Sequence, residues 1–256
     1  MGLRAAAKAL VETVIRHDIK TIEPDSIALI AKHQRHTAWF CHDLQLQWFL
    51  DTRQVDLVVD VGANEGQFAR RLRHTYGGDI ISFEPISAPF RRLEEAARND
   101  SRWTVHQFAL GSEETTATMH VASDTAFSSL LIPNAFSRQR FRRSASLVDE
   151  TVHVKRLDRV LEPLLTAASP KRLFLKLDAQ GYDLEVFTGL GKYADRVMVM
   201  QSEISLVPIY EGMPHWTESV ATYEHAGLSV GGMFPVTRDV DGRVIEYDCL
   251  LVRAHE

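Results

Sequence analysis

Cysteine is scarce: Cys41 and Cys249 are the two in 256 residues. Their spacing suggests neither a metal site nor a disulfide framework, so a reducing, cytoplasmic setting is expected. A basic excess is missing too. The formal net charge is −5, which weighs against a polyanion gripped through its phosphates, and nucleic acid is not expected as a partner. No apolar run approaches the roughly 18 residues of a membrane span. Glu12, Arg16 and His17 interrupt the N-terminal stretch where a signal peptide would carry its apolar core. Position 6 is Ala6, so the myristoylation pattern after Met1-Gly2 fails. The chain also lacks G-x-G-x-x-G after its first strand and the Lys-Ser/Thr of a P-loop, which leaves a pyrophosphate cradle without support.

What is present is a full core's worth of apolar residues, 45% of the chain, in a length that suits one large α/β domain with a cap. Leu3, Ala7, Leu10, Val11, Val14 and Ile15 fall at helical spacing. They predict an amphipathic helix packed on its own domain or, given Arg4, Lys8 and Arg16, lying on a membrane surface. A second helix is expected after Pro24 with Asp25 or Ser26 as N-cap, and a third up to about Leu50. Residues 1–50 thus form a helical cap, and 51–256 the main domain.

From Val55 the texture alternates. Strands are predicted at 55–61, 79–83 and 103–110, with helices at 66–76 and 88–98, the second capped by Ser87. After a strand at 115–121, residues 122–150 are polar, rich in Ser and Arg and aperiodic, and read as a lid. A short strand at 152–157 follows. Alternation returns with strands at 172–178 and 196–203, helices at 182–190 and 215–226, and strands at 228–234 and 244–252. Gly227 stops the last helix, and Asp241-Gly242 marks a hairpin. The expected fold is α/β: a Rossmann-like doubly wound sheet, mostly parallel, ending in an antiparallel C-terminal hairpin, with the N-terminal helical cap in front.

The sharpest chemical signal is Val59-Asp60-Val61-Gly62-Ala63-Asn64-Glu65-Gly66, where a buried strand turns into a helix. Gly62 and Gly66 let backbone approach a ligand, and Asn64 tolerates a left-handed turn. Glu84 ends the second strand, 22 residues after Gly62, where a carboxylate can accept hydrogen bonds from a ribose diol. Nicotinamide and S-adenosylmethionine sites share that pairing. Lys176 and Asp178 lie on one face of a strand, and Glu203 ends the next. Asp60, Glu84, Asp178 and Glu203 therefore gather at strand carboxyl ends, an acidic crevice suited to a cationic cofactor such as a sulfonium bearing an ammonium group. Asp178 or Glu203 could take a proton from an acceptor hydroxyl, or hold a divalent cation such as Mg²⁺ that acidifies it; the residues name no metal ligand set. His153, bordering the lid, is a further candidate base. Arg138, Arg140, Arg142 and Arg143 form a basic run in the lid, either solvated or gripping an anionic group. Against a nicotinamide oxidoreductase stands the missing G-x-G-x-x-G. Against a silent nucleotide-binding module stand the charges at strand ends.

Over residues 55–252 the chain resembles the FkbM family of S-adenosylmethionine-dependent methyltransferases. The resemblance rests on Asp60-Val-Gly-Ala-Asn-x-Gly66, Phe83-Glu84-Pro85, Ala109-Leu110-Gly111, Arg156-Leu157-Asp158, Lys176-Leu-Asp178-x-x-Gly181, Glu203, Tyr210-Glu211-Gly212 and Asp248-Cys-Leu-Leu-Val-Arg253, in that order. It implies a class I methyltransferase fold. It places the cofactor across Asp60, Gly62, Asn64 and Gly66, with Glu84 on the ribose, Phe108 and Ala109 near the adenine, and Asp178 alongside. Many members carry Glu where this chain has Gln180. The Gln-Gly-Tyr variant looks like a subset that methylates sugar, glycolipid or polyketide hydroxyls. The expected partner is such a hydroxylated small molecule, with a homodimer as one open assembly.

Overall fold

The computed structural model describes residues 34–142, 146–165 and 171–254. The two helices expected before residue 33 lie outside them. Contacts divide the chain into two compact units, Met1–Asp43 and Leu44–Glu256. The first described element is helix α1 (Gln34–Thr52). Among the described residues, no helix is long and apolar enough to cross a membrane.

Among the same residues, the larger unit is built on a seven-stranded sheet. Its strands are β1 (Leu57–Val61), β2 (Asp79–Phe83), β3 (Trp103–His106), β7 (Leu173–Leu177), β8 (Val197–Ser205), β9 (Leu228–Arg238) and β10 (Val244–Arg253). Their spatial order is β3-β2-β1-β7-β8-β10-β9. The first five run parallel, while β10 is antiparallel to both β8 and β9. The strand order reverses between β1 and β7, and in an open α/β sheet that switch point opens a crevice at the strands' carboxyl ends.

Covering both faces explains why these strands read as continuous apolar runs. Leu57, Val59, Leu173 and Leu175 join a core with Val186, Phe187 and Tyr223 on one side. Val58, Phe174 and Val199 join Leu46, Phe49, Leu50 and Phe68 on the other. Helices α2 (Gln67–Leu72), α3 (Ser87–Ala97), α6 (Asp183–Gly189) and α7 (Trp216–His225) supply much of that cover. Gly227, at φ 83°, stops α7, and Gly242, at φ 87°, turns the β9–β10 hairpin. Both follow from the freedom a missing Cβ allows.

Three elements differ from expectation. The strand foreseen at 103–110 is two: β3 stops at His106, and β4 (Ala109–Gly111) leaves for a three-stranded sheet in the order β4-β6-β5. His106 ends its ladder by passing its carbonyl to Glu84 N at 3.1 Å, and the chain turns at Gln107-Phe108. Strand β6 (Leu147–Arg156) is longer than foreseen and pairs with β5 (Thr115–Ala122) over its length. No residue of its first half is buried, so no hydrophobic alternation betrays it. The stretch 122–150, expected as a lid, is correspondingly less irregular than foreseen: it holds a 3₁₀ turn at Thr125–Phe127, helix α4 (Ala135–Arg140) and the start of β6. Ser87 does not cap α3. Its N–H and hydroxyl are drawn instead to Glu150 Oε1 on β6, at 3.0 and 2.5 Å.

Gly62 is the position where the fold tolerates nothing larger. An ideal Cβ there falls 2.0 Å from the backbone oxygen of Asp178, and its φ is +72°. Gly62→Ala should cost about 2–4 kcal/mol from left-handed strain plus overpacking. Urea unfolding measures it, and a midpoint equal to wild type would refute the close approach.

Candidate functional site

The crevice begins with the turn after β1. Three of its five residues are left-handed: Gly62 at φ 72°, Asn64 at 49° and Gly66 at 80°. The coil is held by β2. Gly62 N and Ala63 N both donate to Phe83 O at 3.1 and 3.0 Å, and Asn64 N donates to Glu84 Oε2 at 2.9 Å. The other Glu84 oxygen accepts Ile86 N at 2.8 Å. Burial pushes the Glu84 carboxyl up to about 7, against the two backbone donors that favour its ionised form. Gly66 faces inward. A Cβ there would meet Trp103 and Leu93 at 2.9 and 3.0 Å, so its smallness serves packing.

Asp60 is fully buried and faces the sheet's own polar row. It accepts Ser82 Oγ at 3.0 Å, and that hydroxyl accepts Trp103 Nε1 at 2.9 Å. Lys176, its register partner on β7, places Nζ 3.2 Å from Asp60 Oδ1 and 3.2 Å from Asp178 Oδ2. Nζ also lies within 3.5 Å of the carbonyls of Val61 and Gly62. Burial alone would lower the Lys176 pKa; Asp178 and Asp60 more than offset it and hold the ammonium charged. One cation therefore ties the β1 turn to the end of β7.

A cavity of about 260 Å³ opens above this turn, at the small end for small-molecule sites. Gly62, Asn64, Glu84, Phe108, Ala109, Asp178 and Glu203 all line it, so the structure gathers seven of the ten expected site residues around one space. Asp60 and Gly66 stand behind its wall. His153 is elsewhere: it sits on β6 opposite Thr116, in a separate surface hollow with His106 and Lys155. Phe108 belongs to a ring cluster with Phe83 and His106 at 5.5 and 5.4 Å.

At the far end the carboxylates converge. Asp178 is the open one, its side chain 38% exposed. Glu203 is pushed well above the usual carboxylate range by burial, then by Glu246 and Asp178. Glu246, on β10, rises to about 7, again chiefly through burial, against a hydrogen bond from Thr237. Gln180 Nε2 bridges Asp178 Oδ1 at 3.0 Å and Glu203 Oε2 at 2.7 Å, and the Tyr210 hydroxyl donates to Gln180 Oε1 at 2.8 Å. Asp183 anchors the loop below, accepting Ala179 N and Ser202 Oγ, both at 2.8 Å.

Residues 125–128 and Leu130 close one side of the cavity. Thr125 Oγ1 donates to Asn64 Oδ1 at 3.2 Å and Ser129 Oγ to Gln180 O at 2.7 Å, while Tyr210 OH reaches Phe127 O at 3.1 Å. Arg138 and Arg140 turn to their own chain, to Pro133 O and to Asp239. Arg143 lies outside the described residues. Among those residues, no group of three or more His, Cys, Asp or Glu side chains is arranged to hold a metal ion.

Sequence reasoning missed Glu246, Thr237 and the bridging role of Gln180. Glu246 looks like a hairpin residue until the register sets it opposite Ser205, two residues from Glu203 on the same face. A charged residue in the strand 244–253 was the available signal.

A family model, the Methyltransferase FkbM domain, matches residues 60–227. The chain belongs to the FkbM methyltransferase family. It is accordingly an S-adenosylmethionine-dependent methyltransferase. The matched span ends before the hairpin, so Thr237 and Glu246 of this FkbM methyltransferase lie beyond it. Solved structures of similar shape include an rRNA methylase from Streptococcus thermophilus, 10% identical, TM-score 0.43, covering 82% of this chain and 95% of its own. Another is the magnesium protoporphyrin IX methyltransferase of Synechocystis PCC 6803 with bound S-adenosylmethionine, 10% identical, TM-score 0.44, covering 94% and 88%. A third is Aeropyrum pernix fibrillarin, also with S-adenosylmethionine, 12% identical, TM-score 0.40, covering 77% and 66%. No curated protein matches significantly by sequence.

Lys176 should prove structural as well as electrostatic. Lys176→Met strands the fully buried Asp60 without its cation and should cost about 3–5 kcal/mol. Adding Asp60→Asn should recover part of it, because no unpaired charge is then buried. Urea unfolding of the two variants decides; a loss below about 1 kcal/mol for Lys176→Met would sink the ion pair's role.

Proposed function

We propose that this methyltransferase is an O-methyltransferase acting on a hydroxyl of a sugar, glycolipid or polyketide-type small molecule. One observation carries the reading. Asp178, Glu203 and Glu246 line the acceptor end of the cavity, and among the described residues no Lys, Arg or His lines it. Such a wall repels phosphates and carboxylates and accepts hydrogen bonds from neutral polyols. The family resemblance points to the same acceptor class.

The residues present fit the cofactor. Glu84 has lone pairs left for the ribose hydroxyls after its two backbone bonds. Ile86, Phe108 and Met119 offer an apolar bed for the purine, and Asp178 sets a negative charge toward the cationic end. The closeness of Gly62 to β7 leaves backbone, not a side chain, at that wall. When bound, S-adenosylmethionine would supply an electrophilic methyl group on a sulfonium whose leaving group is a neutral thioether. Glu246, raised to about 7, suits a proton acceptor near neutral pH, and Glu203, pushed above the usual carboxylate range by burial, lines the cavity with it. The acceptor hydroxyl gives its proton to one carboxylate oxygen as its oxygen forms the new bond to carbon, and that carboxyl then releases the proton to water. Asp178 and Gln180 hold the hydroxyl in line, where positioning supplies much of the rate. The segment around Thr125–Leu130 acts as a lid that shuts water out of this transfer.

Two outcomes check the reading. Cofactor affinity should follow Glu84 ionisation. A group raised from 4.5 to about 7 in the fold is protonated below pH 7, so affinity should climb with pH up to about 7 and then level. The same shift means the unliganded fold is favoured by this group at low pH and loses that contribution as pH rises through about 7. Calorimetry of wild type and Glu84→Gln from pH 5.5 to 8.5 reads this; an identical pH dependence in both would remove Glu84 from the ribose. For the acceptor, a screen of glycosides and polyketide alcohols with labelled methyl donor should yield an ether located on oxygen by NMR. Transfer only to tRNA or protein side chains, with no hydroxylated small molecule turned over, would overturn it.

A further inference from the structure

The amide of Gln180 stands where two carboxylates would otherwise face each other. Its Nε2 lies 3.0 Å from Asp178 Oδ1 and 2.7 Å from Glu203 Oε2. Its two ends are fixed by different neighbours: Nε2 faces the two carboxyl groups, and Oε1 accepts from the Tyr210 hydroxyl at 2.8 Å, the shorter of that hydroxyl's two contacts. Tyr210 is buried, and burial keeps its hydroxyl protonated and therefore a donor. The placement has a conformational cost. Gln180 has φ 50°, a region non-glycine residues rarely occupy. Its own carbonyl is held by Ser129 Oγ at 2.7 Å. A strained residue fixed from both sides marks a site that needs its side chain in one place.

Two carboxylates brought this close require something positive or hydrogen-bearing between them: a shared proton, a metal cation, or a neutral donor with two hydrogens. Lys176 serves the other oxygen of Asp178, Oδ2, at 3.2 Å, which leaves Oδ1 and Glu203 Oε2 to Gln180. A divalent cation such as Mg²⁺ in that gap would draw each oxygen in to about 2.0–2.1 Å; the amide holds them at hydrogen-bond distance. We propose that Gln180 is a positioning residue that takes the place of a bridging divalent cation. Its NH₂ group aligns Asp178 and Glu203, and methyl transfer runs without added metal. Tyr210 holds the side-chain amide and Ser129 the backbone carbonyl of Gln180, and both tie the residue to the segment around Phe127–Ser129. The inference rests on the reading of these carboxylates as the acceptor end of the site.

A binding experiment tests it without any acceptor. Mn²⁺ is titrated calorimetrically into the full chain, wild type and Gln180→Glu. The expected result is no saturable heat for wild type and saturable binding, at least tenfold tighter, for the variant, whose added carboxylate needs a cation. Equal affinity in the two proteins, or no binding to either, overturns the proposal. A failure of the proposed acceptor class would leave this titration unaffected, so the two can be told apart. With an active substrate in hand, chelator should leave wild-type turnover unchanged; loss restored by Mg²⁺ overturns the proposal. Gln180→Met keeps the length and removes the donor. Its turnover should fall about tenfold or more with the KM for S-adenosylmethionine nearly constant. Its acidic pH limb should move upward, because the ionised carboxylates lose a hydrogen bond. An unshifted limb counts as refutation.

Discussion

The buried ammonium of Lys176 is the constraint on which the rest of the site depends. It is 5% exposed, and it stands among two carboxylates and two backbone carbonyls contributed by β1, its turn and the end of β7. A charge so placed has no route back to water without opening the sheet, so these partners are held to one another. The consequence is positional. Asp178 is drawn toward the turn by one oxygen, and its other oxygen is left to the cavity side, where Gln180 meets it. Gly62 completes the arrangement from the backbone, since any side chain would collide with Asp178 O. The cavity floor is thus built by an ion pair and a missing Cβ acting on the same strand end.

Much of this was legible because it is local. The Gly62–Gly66 turn, Glu84 at the end of β2, and Lys176 with Asp178 on one strand face are short-range patterns whose chemistry shows in the residue types. The parallel strands were legible for the same reason, since burial on both faces leaves uninterrupted apolar runs. What escaped detection depends on register or competition between distant groups. Glu246 enters the site through antiparallel pairing of β10 with β8, which no spacing within either strand reveals. Ser87 has the chemistry of a cap, but Glu150, 63 residues away in sequence, takes its donors. His153 borders the lid in sequence, yet β6 carries it to the outer side of the small sheet, away from the cavity. The gap between β3 and β4 was read as one strand because Phe108 is as apolar as its neighbours. It breaks the ladder so that its ring can reach the cavity.

The acidic end of the cavity is unfavourable by itself. Glu84, Glu203 and Glu246 are each raised by burial, and Asp178 adds its charge to all three shifts. A core designed for stability alone would replace them with apolar residues at little loss. In the proposed reading, with a cofactor that carries positive charge beside them, the repulsion among them would be relieved when that cation arrives, so part of the binding free energy would be preset in the site. The neutral amide of Gln180 fits the same logic. It donates to Asp178 and Glu203 without adding charge, whereas in the proposed reading a bound metal ion would compete with a sulfonium for the same field. A site that must attract a cationic donor and still keep carboxylates free enough to accept a proton is better served by a hydrogen-bond donor than by a second cation.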